Sequence, residues 1–158
     1  TLDDLKGDNG TVIAFICNHC PYVISIAERL SFEAIELKKF SINTIAIMSN
    51  DVTQHPQDSF ENMKIFSKKY NFNFSYLYDE TQKVAKSYGA VCTPDIFGFD
   101  GSLKLMYRGR IDSGVMNSNN SQIERELYKA MLKIKNDGIG PTEQMNSFGC
   151  SIKWKNNE

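Results

Sequence analysis

The sequence predicts an α/β fold with a mixed central β-sheet flanked by helices on both faces. Near-continuous apolar runs, which are typical of strands covered on both faces, alternate with segments of helical periodicity. A hairpin turn later in the chain adds antiparallel strands to the sheet. With 158 residues, 41% of them hydrophobic, the chain is long enough for one domain with a full core. We therefore expect a single domain over residues 1–158, with an irregular tail from about residue 139.

The first half of the chain alternates strands and helices. Residues 1–10 are mostly polar and close with Asp8-Asn9-Gly10, which predicts a turn leading into a strand over Thr11–Ile16. Apolar residues then recur at helical spacing from Pro21 to about Phe40, and Thr44–Met48 forms a second buried strand. Two such strands joined by a helix predict a right-handed βαβ unit.

The remaining elements follow in order along the chain. They are a helix that Pro56 opens, an extended segment over 74–78, a short helix over 79–88 that Gly89 ends, a hairpin of strands 96–99 and 103–108 that turns at Asp100-Gly101, and a last helix that ends near Gly138. The Asn117–Asn120 run predicts a flexible loop. The apolar patch Ile152–Trp154 indicates that the tail docks onto the domain.

Composition narrows the functional classes. A net charge of −1 gives no indication of binding to nucleic acid or to an anionic membrane. The longest apolar run falls well short of the roughly 20 residues that a membrane span needs. The sequence shows no secretory signal, so we expect a cytoplasmic protein, and because the chain begins at Thr1 a periplasmic location stays open. We expect no cofactor.

Two cysteines lie where the first strand gives way to a helix. Pro21 suits the first helical position, so Cys20 falls at or beside the N-cap. A thiolate there faces unpaired N–H groups and the positive end of the helix dipole, and both lower its pKa. His19 would add positive charge if protonated. The motif therefore predicts an activated Cys20, with the thiol of Cys17 close enough to react with the product.

Cysteine spacing separates redox chemistry from a structural role. Four cysteines, namely Cys17, Cys20, Cys92 and Cys150, are too few for a disulfide scaffold in a chain of this length. A C-x-x-C beside a strand–helix junction favours redox chemistry or metal binding over two packed thiols.

Six segments together resemble one family. They are Cys17–Val23, Ser49–Asp51, Asp79–Gln82, Cys92–Asp95, Tyr107–Asp112 and Gly149–Trp154. They resemble the bacterial peroxiredoxin-like proteins of the thioredoxin superfamily, in the alkyl hydroperoxide reductase/thiol-specific antioxidant (AhpC/TSA) group. The resemblance implies a thioredoxin-like fold and antioxidant or disulfide-exchange activity in cell redox homeostasis. Members usually have a further N-terminal β segment, so we expect Thr1 to fall inside the family's first hairpin.

The resemblance also implies roles for the two cysteines. In thioredoxins the nucleophilic cysteine lies five residues after the strand residue matched by Phe15, which is Cys20 here, and its partner would fall at Val23. The peroxide-attacking cysteine of peroxiredoxins also matches Cys20. Cys17 stands where peroxiredoxins have a threonine that helps to bind peroxide. The pair is therefore shifted one turn upstream, with Cys20 as nucleophile and Cys17 as resolving thiol.

Other site residues follow from the same resemblance. Thr93-Pro94 matches the cis-proline loop, which faces the active cysteine and leaves the preceding backbone free to pair with a substrate chain. Thr93 and Pro94 are therefore the predicted substrate-binding residues. Cys92 and Cys150 are candidate resolving thiols, the first because it lies near Pro94 and the second on a tail whose path the sequence does not give.

The arginine of the peroxiredoxin site has no secure match. Arg108 and Arg110 are the nearby candidates, and both lie beyond the hairpin turn. We expect them to balance Asp95, Asp100 or Asp112 rather than to bind substrate. This departure and the cysteine at the threonine position both disfavour efficient peroxide reduction.

Three functions stay open at this point. The first is a thiol–disulfide oxidoreductase, in which Cys20 attacks a protein disulfide, Cys17 resolves it and an external dithiol restores the pair. The second is a peroxidase that forms a sulfenic acid on Cys20. The third is a Cu(I)- or Zn(II)-binding module that uses Cys17, Cys20 and His19. We favour the first, as a monomer or homodimer that acts without nucleic acid or membrane.

Overall fold

The computed structural model describes residues 1–114, 116 and 122–156, so the predicted loop Asn117–Asn120 lies outside the described residues. The described helices are α1 (Leu2–Leu5), α2 (Pro21–Lys38), α3 (Phe60–Lys69), α4 (Lys83–Tyr88) and α5 (Glu126–Asp137), with a 3₁₀ turn at Pro56–Asp58. The described strands are β1 (Gly10–Phe15), β2 (Ile42–Met48), β3 (Ser75–Tyr78), β4 (Cys92–Thr93), β5 (Asp95–Asp100), β6 (Leu105–Gly109) and β7 (Cys150–Ser151).

Five strands form the main sheet in the order β3-β2-β1-β5-β6. Strands β1, β2 and β3 run parallel, and the hairpin of β5 and β6 joins antiparallel to β1. The sheet is therefore mixed, as the sequence predicts. Strand β1 lies at its centre, so the cysteine motif leaves the sheet from its middle strand.

Helices cover both faces of this sheet. Alternate residues of β1 point to opposite faces, so Val12 and Ala14 join one apolar cluster while Ile13 and Phe15 join the other. Helices α2, α3 and α5 contribute to the first cluster, whereas α4 and the leucines of α1 pack against the second. All six residues of β1 are buried as a result, which explains its unbroken apolar run.

The N-terminal segment contains the predicted turn before β1 and, ahead of it, a helical turn that the sequence does not predict. Residues Leu2–Leu5 form a single helical turn, and the Thr1 hydroxyl donates to the Asp4 carboxylate in a capping box. Leu2 and Leu5 pack against the second apolar cluster. Four residues are too few for helical periodicity to show in the sequence, so this helical turn could not be predicted.

The starts of two helices also differ from the predicted ones. The Pro56 segment is a 3₁₀ turn, and α3 starts only at Phe60, because Ser59 caps it by accepting from the Asn62 N–H. Helix α4 begins at Lys83 rather than at residue 79. The buried Asp79 carboxylate accepts the N–H groups of Val84 and Ala85, so it lies outside the helix and satisfies its first turn.

The tail is docked along its length rather than merely irregular. Its residues Met145 and Lys153 each accept a backbone hydrogen bond from the domain, from Arg110 at 2.9 Å and from Asp51 at 2.8 Å. Strand β7 pairs antiparallel with β4, and Ile152 is buried in the second apolar cluster. The prediction that the Ile152–Trp154 patch docks is confirmed.

Across the described ranges, no helix is both long and apolar enough to cross a membrane.

Candidate redox site

The two cysteines of the motif lie at the start of α2. Cys20 is the N-cap residue with an extended backbone (φ −68°, ψ 123°), and Pro21 takes the first helical position, as predicted. Cys17 is 1% exposed and Cys20 is 0% exposed. Both are free thiols. The site is therefore a reduced, solvent-shielded pair at a helix N-terminus.

Thr93 contacts both sulfurs. The Cys17 Sγ lies 3.4 Å from Thr93 Oγ1, and the Cys20 thiol, when protonated, donates to the Thr93 carbonyl oxygen at 3.3 Å. The peptide bond between Thr93 and Pro94 is cis. The structure thus brings the predicted Thr93-Pro94 loop against the cysteine pair.

The pKa values of the two thiols are shifted in opposite directions. A hydrogen bond from the Cys17 thiol lowers the pKa of Cys20, and it outweighs the burial that raises it. The Cys150 thiol and the N–H groups of Cys150 and Val23 lower that pKa further. The pKa of Cys17 is raised, first by this interaction with Cys20, then by burial and by the charge of Asp58. Cys20 is therefore the more acidic of the two thiols, and Cys17 is the less acidic one.

Cys150 reaches the same site from the tail. Strands β4 and β7 align Cys150 directly opposite Thr93. Cross-strand partners share a face, so Cys150 points with Thr93 toward Cys20. Its interaction with the Cys20 sulfur raises the pKa of Cys150, and burial adds to this effect. The site therefore contains three thiols, of which Cys150 is only partly buried.

Cys92 is directed elsewhere. Cys92 pairs with Ser151 and directly precedes Thr93 in β4. Because successive side chains of a strand point to opposite faces, the Cys92 side chain lies on the face opposite to that of Thr93. Its thiol donates to the Pro94 carbonyl oxygen at 3.5 Å. Burial and the charge of Asp95 raise its pKa to about 11. The Cys20 and Cys150 sulfurs also raise that pKa slightly, so Cys92 lies near the site although its strand position faces away from Thr93.

A buried carboxylate lies beside Cys17. Asp58 is fully buried and accepts from the Asn18 backbone N–H at 2.8 Å and from the Asn50 side chain at 2.9 Å. His19 Nδ1 lies 2.7 Å from Asp58 Oδ2. Among the described residues that nitrogen has no hydrogen-bond partner of ordinary geometry, so the contact is an ion pair when the ring is charged. The His55 ring stacks on His19 at 5.6 Å, which gives a role to a residue the sequence assigns to a loop.

Three of these side chains form a candidate metal site. The ligand atoms of Cys17, His19 and Asp58 all lie within 4.8 Å of one another. The sequence suggests a different set, in which Cys20 takes the place of Asp58. Thiolate, imidazole and carboxylate are all ligands that Zn(II) accepts, so the residues fit a bound cation.

The candidate arginines are engaged with carboxylates. Arg108 bonds Asp95 at 3.0 Å, as expected from the sequence. Arg110 makes two bonds to Glu126, at 2.7 and 2.8 Å, rather than pairing with any of the aspartates that the sequence suggests. The hydrogen bonds to Glu126 raise the pKa of Arg110. These pairings weaken both residues as candidates for the peroxide-binding arginine.

Sequence reasoning missed Asp58 and Tyr76. The Tyr76 hydroxyl donates to the Asn18 side chain at 2.9 Å, and burial raises its pKa well above the ordinary value. Asp58 follows Pro56 in a short turn, where no periodic pattern marks it as buried. Asn50 carried a partial signal, because the sequence places Ser49–Asp51 at the sheet edge where the cysteines lie.

The fold and the site together define a class. A mixed sheet with a parallel βαβ unit and an antiparallel hairpin, a cysteine pair after the central strand and a cis-proline against it make this a thiol-redox protein of the thioredoxin superfamily. The model of the AhpC/TSA family matches residues 1–109, which is more than half of the chain. The chain belongs to the AhpC/TSA family.

Solved structures agree with this assignment. An uncharacterized conserved protein from Geobacillus kaustophilus is 43% identical with a TM-score of 0.92, over 99% of this chain and 83% of that one. A hypothetical protein from Sinorhizobium meliloti is 34% identical with a TM-score of 0.92, over 99% and 85%. A secreted Mycobacterium tuberculosis disulfide oxidoreductase shares the fold at 19% identity and a TM-score of 0.59, over 82% and 84%. No curated protein matches the chain.

Proposed function

We propose that the protein is a thiol–disulfide oxidoreductase in which Cys20 is the nucleophile and Cys17 is the resolving thiol. The placement of Cys20 at a helix N-cap, with Cys17 and the cis-proline loop beside it, carries this proposal. The opposite pKa shifts of the two thiols support it, because a dithiol cycle needs an acidic attacking thiol and a partner that keeps its proton.

The cycle has two exchanges. The Cys20 thiolate attacks a substrate disulfide R–S–S–R, which forms a Cys20–S–S–R bond and releases one thiolate RS⁻. Cys17 then loses its proton and attacks the Cys20 sulfur, which releases the second RS⁻ and leaves a Cys17–Cys20 disulfide. Two electrons pass to the substrate, and an external dithiol returns them to the protein.

Formation of the mixed disulfide favours the ionisation of Cys17. The largest cause of its raised pKa is the Cys20 thiolate, which disappears once Cys20 is in a mixed disulfide. The Asp58 carboxylate and the His19 ring, within 4.8 Å of the Cys17 sulfur, are the candidate acceptors for that proton. The His19 side chain is 28% exposed, so the proton has a route to solvent.

The test measures reduction of a model protein disulfide by the whole chain with a dithiol supply. The Cys20→Ser variant should lose the rate gain, and Cys17→Ser should stop with Cys20 held in a disulfide that it cannot resolve. Cys92→Ser is the matched control, because its thiol points away from the pair. Full activity in the Cys20→Ser variant would overturn the proposal.

A peroxidase is less well supported. Family membership and the position of Cys20 favour it, whereas the pairing of Arg108 and Arg110 with carboxylates does not. Reaction of Cys20 with hydrogen peroxide at the rate of an ordinary thiolate would exclude it. A rate far above that, with a sulfenic acid trapped on Cys20, would replace the oxidoreductase proposal.

The Cys17–His19–Asp58 group favours Zn(II) or Cu(I) binding as a second candidate function. Cys17 serves both functions, so a bound metal and a Cys17–Cys20 disulfide exclude each other. Metal analysis of protein purified without chelator tests this. Stoichiometric metal that is lost in Asp58→Asn would support it, and metal-free protein that takes up no added zinc would exclude it.

A further inference from the structure

The buried pair has no direct access to a substrate. Cys20 is fully buried, and Cys17 is 1% exposed, so a disulfide from outside cannot reach either sulfur in this conformation. Cys150 contacts the Cys20 sulfur and is only partly buried. Of the three cysteines at the site, Cys150 is the one that is partly exposed.

The tail also occupies the position where a substrate chain would pair. The backbone of Thr93 precedes the cis-proline, and its antiparallel partner is Cys150. The neighbouring Gly149 backbone packs so tightly that a Cβ atom would lie 2.1 Å from the Thr93 carbonyl oxygen. The protein thus presents its own cysteine to Cys20 on its own strand.

This position is held by contacts on both sides of Cys150. Upstream, Phe148 makes an edge-to-face contact with Tyr22 in the first turn of α2, at 5.6 Å between ring centroids. Downstream, the Ile152 N–H donates to Val91 at 3.1 Å, and the Asn50 side chain accepts from Lys153 at 2.9 Å. The Cys150 sulfur is therefore fixed against Cys20 by the fold rather than by chance contact of a loose tail.

We propose that Cys150 is a third redox-active cysteine, which exchanges disulfides with the outside and passes them to the buried Cys17–Cys20 pair. The proposal rests on the oxidoreductase function, and it names the thiol through which substrates enter. It also assigns the segment Gly149–Ser151 as a built-in substrate strand.

The exchange balances in three steps. Cys150 loses its proton to solvent, and the resulting thiolate attacks an external disulfide R–S–S–R, forming Cys150–S–S–R and releasing RS⁻. The Cys20 thiolate attacks the Cys150 sulfur, releasing the second RS⁻ and forming a Cys20–Cys150 disulfide. Cys17 gives up its proton and attacks the Cys20 sulfur, which leaves a Cys17–Cys20 disulfide and frees Cys150.

The Cys17→Ser variant traps the middle step, since it cannot resolve the Cys20–Cys150 bond. With glutathione disulfide as the probe, mass spectrometry of that variant should find a Cys20–Cys150 disulfide and no attached glutathione. Glutathione bound to Cys20, with Cys150 a free thiol, would overturn the proposal.

A second variant separates this proposal from the function on which it rests. In Cys150→Ser the rate of glutathione disulfide reduction should fall about tenfold or more, whereas Cys92→Ser should keep the wild-type rate. The serine hydroxyl can still donate to Cys20, and thermal unfolding checks that the tail stays docked. A wild-type rate in Cys150→Ser, with Cys20→Ser inactive, would reject the entry role and leave the oxidoreductase intact. Activity in Cys20→Ser would reject both.

Discussion

At the scale of single residues, the chemistry depends on one proton shared between two sulfurs. Cys17 donates a hydrogen bond that lowers the pKa of Cys20, and the resulting thiolate raises the pKa of Cys17. The helix N-terminus and the Cys150 thiol add smaller contributions to the acidity of Cys20. The nucleophile is therefore activated mainly by its partner, and each sulfur depends on the state of the other.

The hydrogen bond from Cys17 can be removed by mutation. In Cys17→Ala the Cys20 thiolate loses its strongest donor, so the pKa of Cys20 should rise toward its ordinary value. Cys17→Ser keeps a donor and should shift that pKa less. The measurement is the pH dependence of thiolate ultraviolet absorbance in Cys92→Ser/Cys150→Ser backgrounds. Equal pKa values of Cys20 in the alanine, serine and parent proteins would contradict this account.

Asp58 has both a structural and a chemical role. Asp58→Asn removes a charged acceptor from two buried donors, so it should lower the free energy of unfolding by about 1–3 kcal/mol. It also removes a negative charge that raises the pKa of Cys17, so that pKa should fall. Urea unfolding and thiol titration measure the two effects. Asp3→Asn, at an exposed helix turn, is the control, and equal losses of stability in both variants would refute the role of Asp58.

At the scale of elements, strand β7 of the tail determines which molecules can reach Cys20. Strand β7 contains two residues and gains its place from pairing with β4 and from the buried Ile152 beside it. Access therefore depends on how tightly the chain approaches Thr93, which is set by Gly149.

A methyl group at position 149 should loosen this strand. In Gly149→Ala the new Cβ would overlap the Thr93 carbonyl oxygen, so the tail backbone must shift away from β4, at a cost of about 1–3 kcal/mol. Alkylation of Cys20 by iodoacetamide should then become faster than in the wild type. Ser151→Ala, at an exposed side chain of the same strand, should leave the alkylation rate unchanged. A wild-type rate in Gly149→Ala would show that the tail does not shield Cys20.

Local patterns explain what could be predicted from the sequence at this scale. Strand β1 and helix α2 follow from unbroken apolarity and helical spacing, and Pro21 places Cys20 at the N-cap. The pairing of β4 with β7 could not be predicted, because two-residue strands leave no periodic signal and their partners lie far apart in the chain. The burial of Asp58 could not be predicted for the same reason, because this residue lies in a short turn. The resemblance predicted that the Thr93-Pro94 loop faces Cys20, as it does, because a resemblance carries long-range information that local patterns lack. The role of these two residues in substrate binding stays a prediction.

At the scale of the whole molecule, the pKa values of Cys17 and Cys20 determine how the reduction potential of the pair responds to pH. Both thiols start from an ordinary pKa of 9.0, and the structure lowers one and raises the other. Between these two pKa values, reduction of the Cys17–Cys20 disulfide takes up two electrons and one proton. The neutral range lies inside that interval.

The potential of the pair should therefore fall by about 30 mV per pH unit near neutrality, against about 59 mV where both thiols take up a proton. Equilibration with a dithiol/disulfide buffer at several pH values measures this slope. A slope near 59 mV per unit throughout the neutral range would mean that Cys20 is an ordinary protonated thiol, which would contradict the assignment of the nucleophile.

The most direct test of the central claim is disulfide mapping by mass spectrometry, after the protein is equilibrated in a graded dithiol/disulfide buffer. The account predicts that the wild-type protein ends with a Cys17–Cys20 disulfide at a defined potential, while Cys92 and Cys150 stay reduced. A protein in which Cys17 remains a free thiol while Cys20 bonds stably to Cys92 or Cys150 would contradict it, because Cys17 would then not be the resolving thiol.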